Sequence, residues 1–227
     1  MRLLIAICFL STTHGISQNE WMSTYDFVYL DEYLDHAHYE VRYHGTHNFV
    51  GDTITGYLSD RVVMTKAAAV ALQKIEASLW NEGYCLKIFD TYRPQRAVDH
   101  FKNWSQDHSD TLTKKEFYPK QIKAQLFNLG YISSRSGHSR GSTIDLTLAN
   151  KESGTEIDMG SPYDFFGSIS HHTSTAVTQE QHSNRLLLKT AMNRYGFRSY
   201  SKEWWHYTLN GEPYKDRYFD FVVTPDK

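Results

Sequence analysis

Apolar positions along the chain change period several times, and each change predicts an element. Between residues 65 and 83, Ala68, Ala71, Leu72, Ile75 and Leu79 recur at helical spacing, with Thr65 placed to cap the start and Gly83 to stop the end. A second helix is predicted to begin at Pro94 and to present Ala97, Val98, Phe101 and Trp104 on one side. A third is predicted over about residues 120–129. The fourth begins at Thr178, whose spacing to Gln181 is that of a capping box, and runs through Leu187, Leu188, Ala191, Met192 and Tyr195 to Gly196. Aromatic and β-branched runs predict strands at residues 84–89, 142–148, 197–200 and 204–209. The expectation is an α+β fold, a single domain with a small, mostly antiparallel sheet flanked by helices. Residues 151–175 read as a long loop, and long loops inside compact domains tend to carry function.

The first seventeen residues have a different pattern: Met1-Arg2, an apolar run at residues 3–10, then polar residues ending in Gly15-Ile16-Ser17. That is the pattern of a secretory signal peptide, with cleavage expected before Gln18 and no membrane anchor afterwards. The apolar run is too short to span a bilayer. The expected division is a signal at 1–17 and one domain at 18–227, in the periplasm or outside the cell. Cleavage removes Cys8 and leaves Cys85 alone, so no internal disulfide can form. Cys85 sits in a predicted strand and reads as a buried structural thiol. With 24 Lys and Arg against 26 Asp and Glu, the chain has no basic excess, which argues against nucleic acid as a partner.

Candidate chemistry lies in two short stretches: Ser-Gly-His-Ser-Arg-Gly-Ser-Thr-Ile-Asp at residues 136–145 and Glu-Trp-Trp-His at 203–206. A mononuclear catalytic zinc takes three nitrogen or oxygen ligands from the protein and works beside a carboxylate that does not bind it. His138, Asp145 and His206 fit the first requirement and Glu203, as general base, the second. Residues three apart in a regular strand face opposite ways, so Glu203 is expected at a turn or bulge entering the strand. Arg93 precedes Pro94 and is placed beside a helix start, aimed at a developing oxyanion, with Asp90 three residues earlier able to orient it. His171-His172 is the rival ligand pair, but adjacent residues rarely point at one metal. His36, His38, His44, His47, His100, His108 and His182 show no coherent spacing, and Trp204 and Trp205 read as packing and wall residues.

The sequence closely resembles the VanX-type D-alanyl-D-alanine dipeptidases, zinc enzymes related to D,D-carboxypeptidases and to the Hedgehog signalling domain. The resemblance rests on Tyr43 with Asn48-Phe49-Val50-Gly51, Asp90-Thr91-Tyr92-Arg93-Pro94, the 136–145 stretch with Leu146-Thr147-Leu148, Met159-Gly160 through Asp164-Phe165, Ser170-His171-His172 and Glu203-Trp204-Trp205-His206-Tyr207. It implies one zinc per chain on His138, Asp145 and His206, Glu203 as base, and Arg93 stabilising the tetrahedral intermediate. It further implies that Tyr43 and Asp164 hold the substrate ammonium and that Ser136 lies where the substrate carboxylate binds. Asp90 is grouped with these substrate-binding residues. The expected substrate is a free dipeptide, D-Ala-D-Ala. Two departures stand out: the best-known members are cytoplasmic whereas this chain carries an export pattern, and Gly137 occupies a site that is often Ser. Wall turnover is therefore expected over antibiotic resistance. The alternatives are a D,D-carboxypeptidase or endopeptidase on peptidoglycan stems, and a Hedgehog-like zinc module without turnover.

Overall fold

The structure, a computed structural model, describes residues 17–225; the predicted signal therefore lies outside the described residues except for Ser17. The chain runs α1 (Gln18–Thr24), β1 (Phe27–Tyr29), β2 (His38–Tyr39), β3 (Val63–Thr65), α2 (Lys66–Asn81), β4 (Tyr84–Asp90), α3 (Gln95–Gln106), α4 (Lys114–Phe117), β5 (Thr143–Asn150), α5 (Gln179–Arg194), β6 (Phe197–Tyr200) and β7 (Glu203–Leu209). The main sheet has five strands in the order β2-β4-β5-β7-β6, antiparallel except for the β2–β4 pair, and β1 and β3 form a small second sheet. The α+β expectation holds.

Helix α2 begins after Thr65, as its pattern predicts, although the Thr65 hydroxyl pairs with Ser142 Oγ at 2.7 Å instead of capping the helix. Helix α5 has the predicted capping box between Thr178 and Gln181. Leu72, Ile75, Leu188 and Met192 from these two helices share one apolar cluster with Leu86, Ile88, Ile144, Leu146 and Leu148 of the central strands. Full burial of each such side chain contributes about 1.5–3 kcal/mol. Alternate residues of β5 face opposite sides of the sheet, so Ile144, Leu146 and Leu148 turn to this core while Thr143, Asp145 and Thr147 turn to the other side. On that other side a second cluster includes Tyr43, Phe49, Phe101 from α3, and Phe166. The polar face of β5 is thus enclosed, which is where a buried site can form.

The helix predicted over 120–129 is not present. That stretch forms a 3-10 turn at Lys123–Gln125 among other turns, and the short α4 precedes it. The cause is tertiary: the buried Lys123 ammonium donates to the carbonyl oxygens of Asp107 and Asp110 and to the Asp110 carboxylate, at 2.9, 2.9 and 3.1 Å. Those bonds fold the segment back on the end of α3. The strands β1, β2 and β3 and the helix α1 carry too few residues for a periodic signal. Cys85 is buried in β4, as expected. Among the described residues no helix is long and apolar enough to cross a membrane.

Candidate active site

Strand register builds the site. Asp90 pairs with Asp145 across β4 and β5, and Asp145 pairs with His206 across β5 and β7, so three polar side chains stand in one row across adjacent strands. A register shift between Ile88 and Asp90 brings Asp90 into that row. A second shift, between Ser199 and Tyr200, pairs Tyr200 with Glu203 where β7 begins. This is the bulge expected at Glu203, and it turns Glu203 Oε2 to within 3.7 Å of His206 Nδ1.

His138 arrives from outside the sheet, on a 3-10 turn at Gly137–Arg140. The turn can form because Gly141 takes φ 81, and a Cβ there would lie 2.3 Å from the Phe27 ring. Ser136 Oγ caps the turn by accepting the His138 N–H at 3.3 Å. His138 Nδ1 lies 2.6 Å from the Thr91 carbonyl oxygen, an acceptor only, so Nδ1 carries the proton and Nε2 keeps its lone pair. Nε2 faces His206 Nδ1 at 3.3 Å and Asp145 Oδ2 at 3.2 Å, while His206 Nδ1 faces Asp145 Oδ1 at 3.0 Å. Ligand atoms of His138, Asp145 and His206 all lie within 4.8 Å of one another. Two imidazole nitrogens and a carboxylate converge with at most one proton among them, which is the donor set of a divalent cation and suits zinc. His171 and His172 do not join it: His171 Nε2 meets Tyr131 OH at 3.1 Å, and the His172 ring packs edge-on against Tyr207, 6.2 Å between ring centres.

Arg93 lies beside this trio. Its Nη2 is 2.8 Å from Asp90 Oδ2 and 3.4 Å from Asp145 Oδ2, and its guanidinium rests over the Tyr43 and Phe101 rings. Burial opposes the charge, but the surrounding Tyr43, Asp90 and Asp145 keep the guanidinium protonated. Asp90, expected among the substrate contacts, is instead 1% exposed and lies behind Arg93, accepting from Tyr57 OH at 2.6 Å as well. Its oxygens are occupied by Arg93 and Tyr57, so it positions Arg93 and is absent from the cavity wall.

The cavity in front of the row has a volume of about 290 Å³ and is lined by Arg93, Ser136, Asp145, Asp164, Glu203 and His206 together with Tyr43. That is the lower edge of the ~300–1,000 Å³ usual for small-molecule sites. Its apolar wall is Phe49, Val98, Phe101, Ile132 and Phe166, with Tyr131 and Tyr200 beside them. Most of these were invisible as site residues in the sequence, because an aromatic that lines a cavity carries the same pattern as one that fills a core. Trp204 and Trp205 are buried packing residues, not wall.

Asp164 is a charged part of the lining. It is buried, takes the left-handed backbone at φ 59, and accepts from Tyr43 OH at 2.8 Å. Burial, and then the nearby Asp145 charge, push its carboxyl up to about 7, against the lowering effect of the Tyr43 bond. Burial, with Asp145 and Asp164 adding to it, also raises the Glu203 carboxyl well above the usual range. Burial alone would raise Asp145 too, but the His138 and His206 imidazoles hold it well below.

The family described as D-ala-D-ala dipeptidase matches residues 23–224. The chain belongs to the D-Ala-D-Ala dipeptidase family. A D-alanyl-D-alanine dipeptidase of Enterococcus faecalis is 43% identical over 198 residues, 87% of this chain and 98% of that protein. One of Streptomyces coelicolor is also 43% identical, over 88% of this chain and 99% of its own length. Among solved structures, a vancomycin-resistance D,D-pentapeptidase of the VanY type in complex with Zn(II) shares 16% identity, with a TM-score of 0.42, over 68% of this chain and 77% of that one. In this dipeptidase-family chain Gly137 has a local reason: a Cβ there would meet Thr143 Oγ1 at 2.7 Å, so a side chain would have to displace that hydroxyl from its 2.9 Å pair with Thr208.

Proposed function

We propose that this chain is a zinc-dependent dipeptidase that hydrolyses D-Ala-D-Ala to two D-alanines. The observation that carries the reading is the small cavity itself, in which the buried Asp164 carboxylate and Tyr43 share the lining with His206, Asp145 and Glu203. A free dipeptide is a zwitterion, and its ammonium would pair with Asp164. An acylated amine would leave that buried carboxylate with the Tyr43 bond and no counter-charge, which rejects longer peptides. The choice of two D-residues rests on family membership.

One zinc ion, held by His138, Asp145 and His206, would supply a Lewis acid that polarises the scissile carbonyl and makes water acidic enough to attack near neutral pH. Glu203 takes the proton of the attacking water on its carboxylate and returns it to the leaving nitrogen. Arg93, held in place by Asp90, offers N–H donors to the carbonyl oxygen as that oxygen gains charge. The Tyr43 hydroxyl donates a hydrogen bond to Asp164 and accepts one from Tyr163 OH at 3.2 Å, which leaves its second lone pair for the ammonium. Ser136 Oγ accepts from the His138 N–H, so its own proton is free for the substrate carboxylate.

The reading is tested by assaying zinc-loaded protein on D-Ala-D-Ala, L-Ala-L-Ala and N-acetyl-D-Ala-D-Ala, with Asp164→Asn as the comparison. Hydrolysis of the free D,D-dipeptide well above the other two is expected, and equal rates on free and acetylated substrate would favour a D,D-carboxypeptidase instead. Asp164→Asn should raise KM for the free dipeptide about 30-fold or more, since losing one partner of a buried charge pair costs at least ~2 kcal/mol. KM of the parent should rise as pH falls through about 7, where Asp164 takes up a proton, and the variant should lack that limb. Stability has the opposite sign. A carboxyl raised on folding binds more protons folded than unfolded, so stability falls as pH rises from the ordinary Asp range to about 7. Asp164→Asn should therefore melt higher than the parent at pH 8 in the metal-free state and show no such gain at pH 3.

The pattern of residues 1–17 supports action outside the cytoplasm, on dipeptide released in wall turnover. Gln18 then opens the mature domain: its Oε1 accepts from Thr224 N and Oγ1 at 2.6 and 2.9 Å, tying the start of α1 to the chain's end. Mass spectrometry of protein recovered from the periplasm or medium should find a chain beginning at Gln18; recovery only from the cytoplasm with residues 1–17 attached would overturn this.

A further inference from the structure

Asp164 lies on the connection between β5 and α5, which has little regular structure beyond a 3-10 turn at Ser168–Ser170. One side chain holds both arms of that connection. Arg185, on α5, is 2% exposed; its Nε donates to Met159 O at 2.6 Å, ahead of Asp164, and its Nη1 donates to Ile169 O and His171 O at 2.9 and 3.0 Å, behind it. Nη2 reaches Ser161 Oγ at 3.4 Å. Each of these acceptors is a carbonyl or hydroxyl of the loop. From Ser161 the network continues to Ser170 Oγ at 2.9 Å, and Ser170 Oγ donates at 2.6 Å to the carbonyl of Phe165, the residue after Asp164. Ser161 Oγ also accepts from Trp204 Nε1 at 3.0 Å, the neighbour of Glu203.

We propose that Arg185 is a positioning residue for Asp164, and through it sets the discrimination between a free and a blocked amino terminus. The proposal rests on the reading of Asp164 as the ammonium's partner. A left-handed Asp is held against its own backbone preference, so its carboxylate stays aimed into the cavity only while the flanking backbone is fixed. A guanidinium does this where an ammonium does less well, because its rigid planar fork reaches acceptors on both arms at once.

The test compares Arg185→Gln, Arg185→Lys and Ser170→Ala with the parent, all zinc-loaded, on D-Ala-D-Ala and N-acetyl-D-Ala-D-Ala. Zinc content and melting temperature are recorded for each, and the inhibition constant replaces kcat/KM where the acetylated compound turns over too slowly. Arg185→Gln should raise KM for the free dipeptide about ten-fold with a smaller change in kcat, the size expected for a sub-ångström misplacement. The preference for free over acetylated compound should fall by a similar factor. Ser170→Ala should shift the same ratio in the same direction by less, and Arg185→Lys should recover part of the loss. If Arg185→Gln does not fold, Arg185→Lys and Ser170→Ala carry the test. The proposal is overturned if both compounds weaken by one common factor, or if the ratio stays at the parent value in Ser170→Ala and Arg185→Lys. A parent enzyme that treats free and acetylated compound alike removes the role of Asp164 itself, a separate failure visible before any variant is made.

Discussion

Glu203→Ala is expected to lower kcat on D-Ala-D-Ala by about 10²–10⁴-fold, the usual contribution of a positioned general acid–base group, and to keep its metal. The two halves have separate grounds. Glu203 Oε2 stands 3.7 Å from His206 Nδ1, outside the convergent set of His138, Asp145 and His206, so removing it leaves every ligand in place. Its carboxyl is buried and raised well above the usual range, by burial first and by Asp145 and Asp164 after it. A carboxylate made more basic in this way suits proton transfer near neutral pH better than an exposed one. Steady-state kinetics paired with metal analysis of the same sample checks both halves. Unchanged kcat would sink the base assignment, and loss of metal in this variant would make Glu203 a ligand.

His206→Ala should fail in the other way, losing the metal and with it all measurable turnover. His206 is one of only two imidazoles in the convergent set, and Ala leaves His138 and Asp145 to hold an ion alone. Thermal melts give a readout independent of activity. An ion that binds only the folded state stabilises it by about 2.7 kcal/mol when present at one hundred times its Kd. Added zinc should therefore raise the melting temperature of the parent and of Glu203→Ala, and leave that of His206→Ala where it was. A zinc-dependent rise in His206→Ala equal to the parent's would place the ion elsewhere.

The convergent trio of His138, Asp145 and His206, a candidate metal site, and the neighbouring Glu203 were legible in sequence because each carries its chemistry in its residue type and sits in a short, unusual stretch. Strand pairing sets Asp145 beside His206, and His138 reaches them from the 3-10 turn at Gly137–Arg140, a placement that no alternation reports. The bulge at Glu203 could be inferred from the three-residue spacing to His206, since a regular strand would have separated them. Asp90 was harder: an acidic residue three before an arginine has the same signature whether it meets substrate or braces the arginine, and only its 1% exposure and the Tyr57 bond decide it. The predicted helix at 120–129 failed because Lys123 reaches main-chain carbonyls from distant residues, and no local pattern reports that. Arg185 was missed as a site residue for the same reason, since its partners are mostly backbone carbonyls without residue identity.

The row of Asp90, Asp145 and His206 across β4, β5 and β7 also bears on how the molecule is checked after it folds. Side chains alternate along a strand, so a slip of one residue between β5 and β7 would carry Asp145 or His206 to the face that packs on α2 and α5. A slipped sheet therefore has no place for the ion. Metal retention becomes a proofreading signal for strand register: a chain whose described residues hold no disulfide to lock the pairing reports correct assembly by holding its metal.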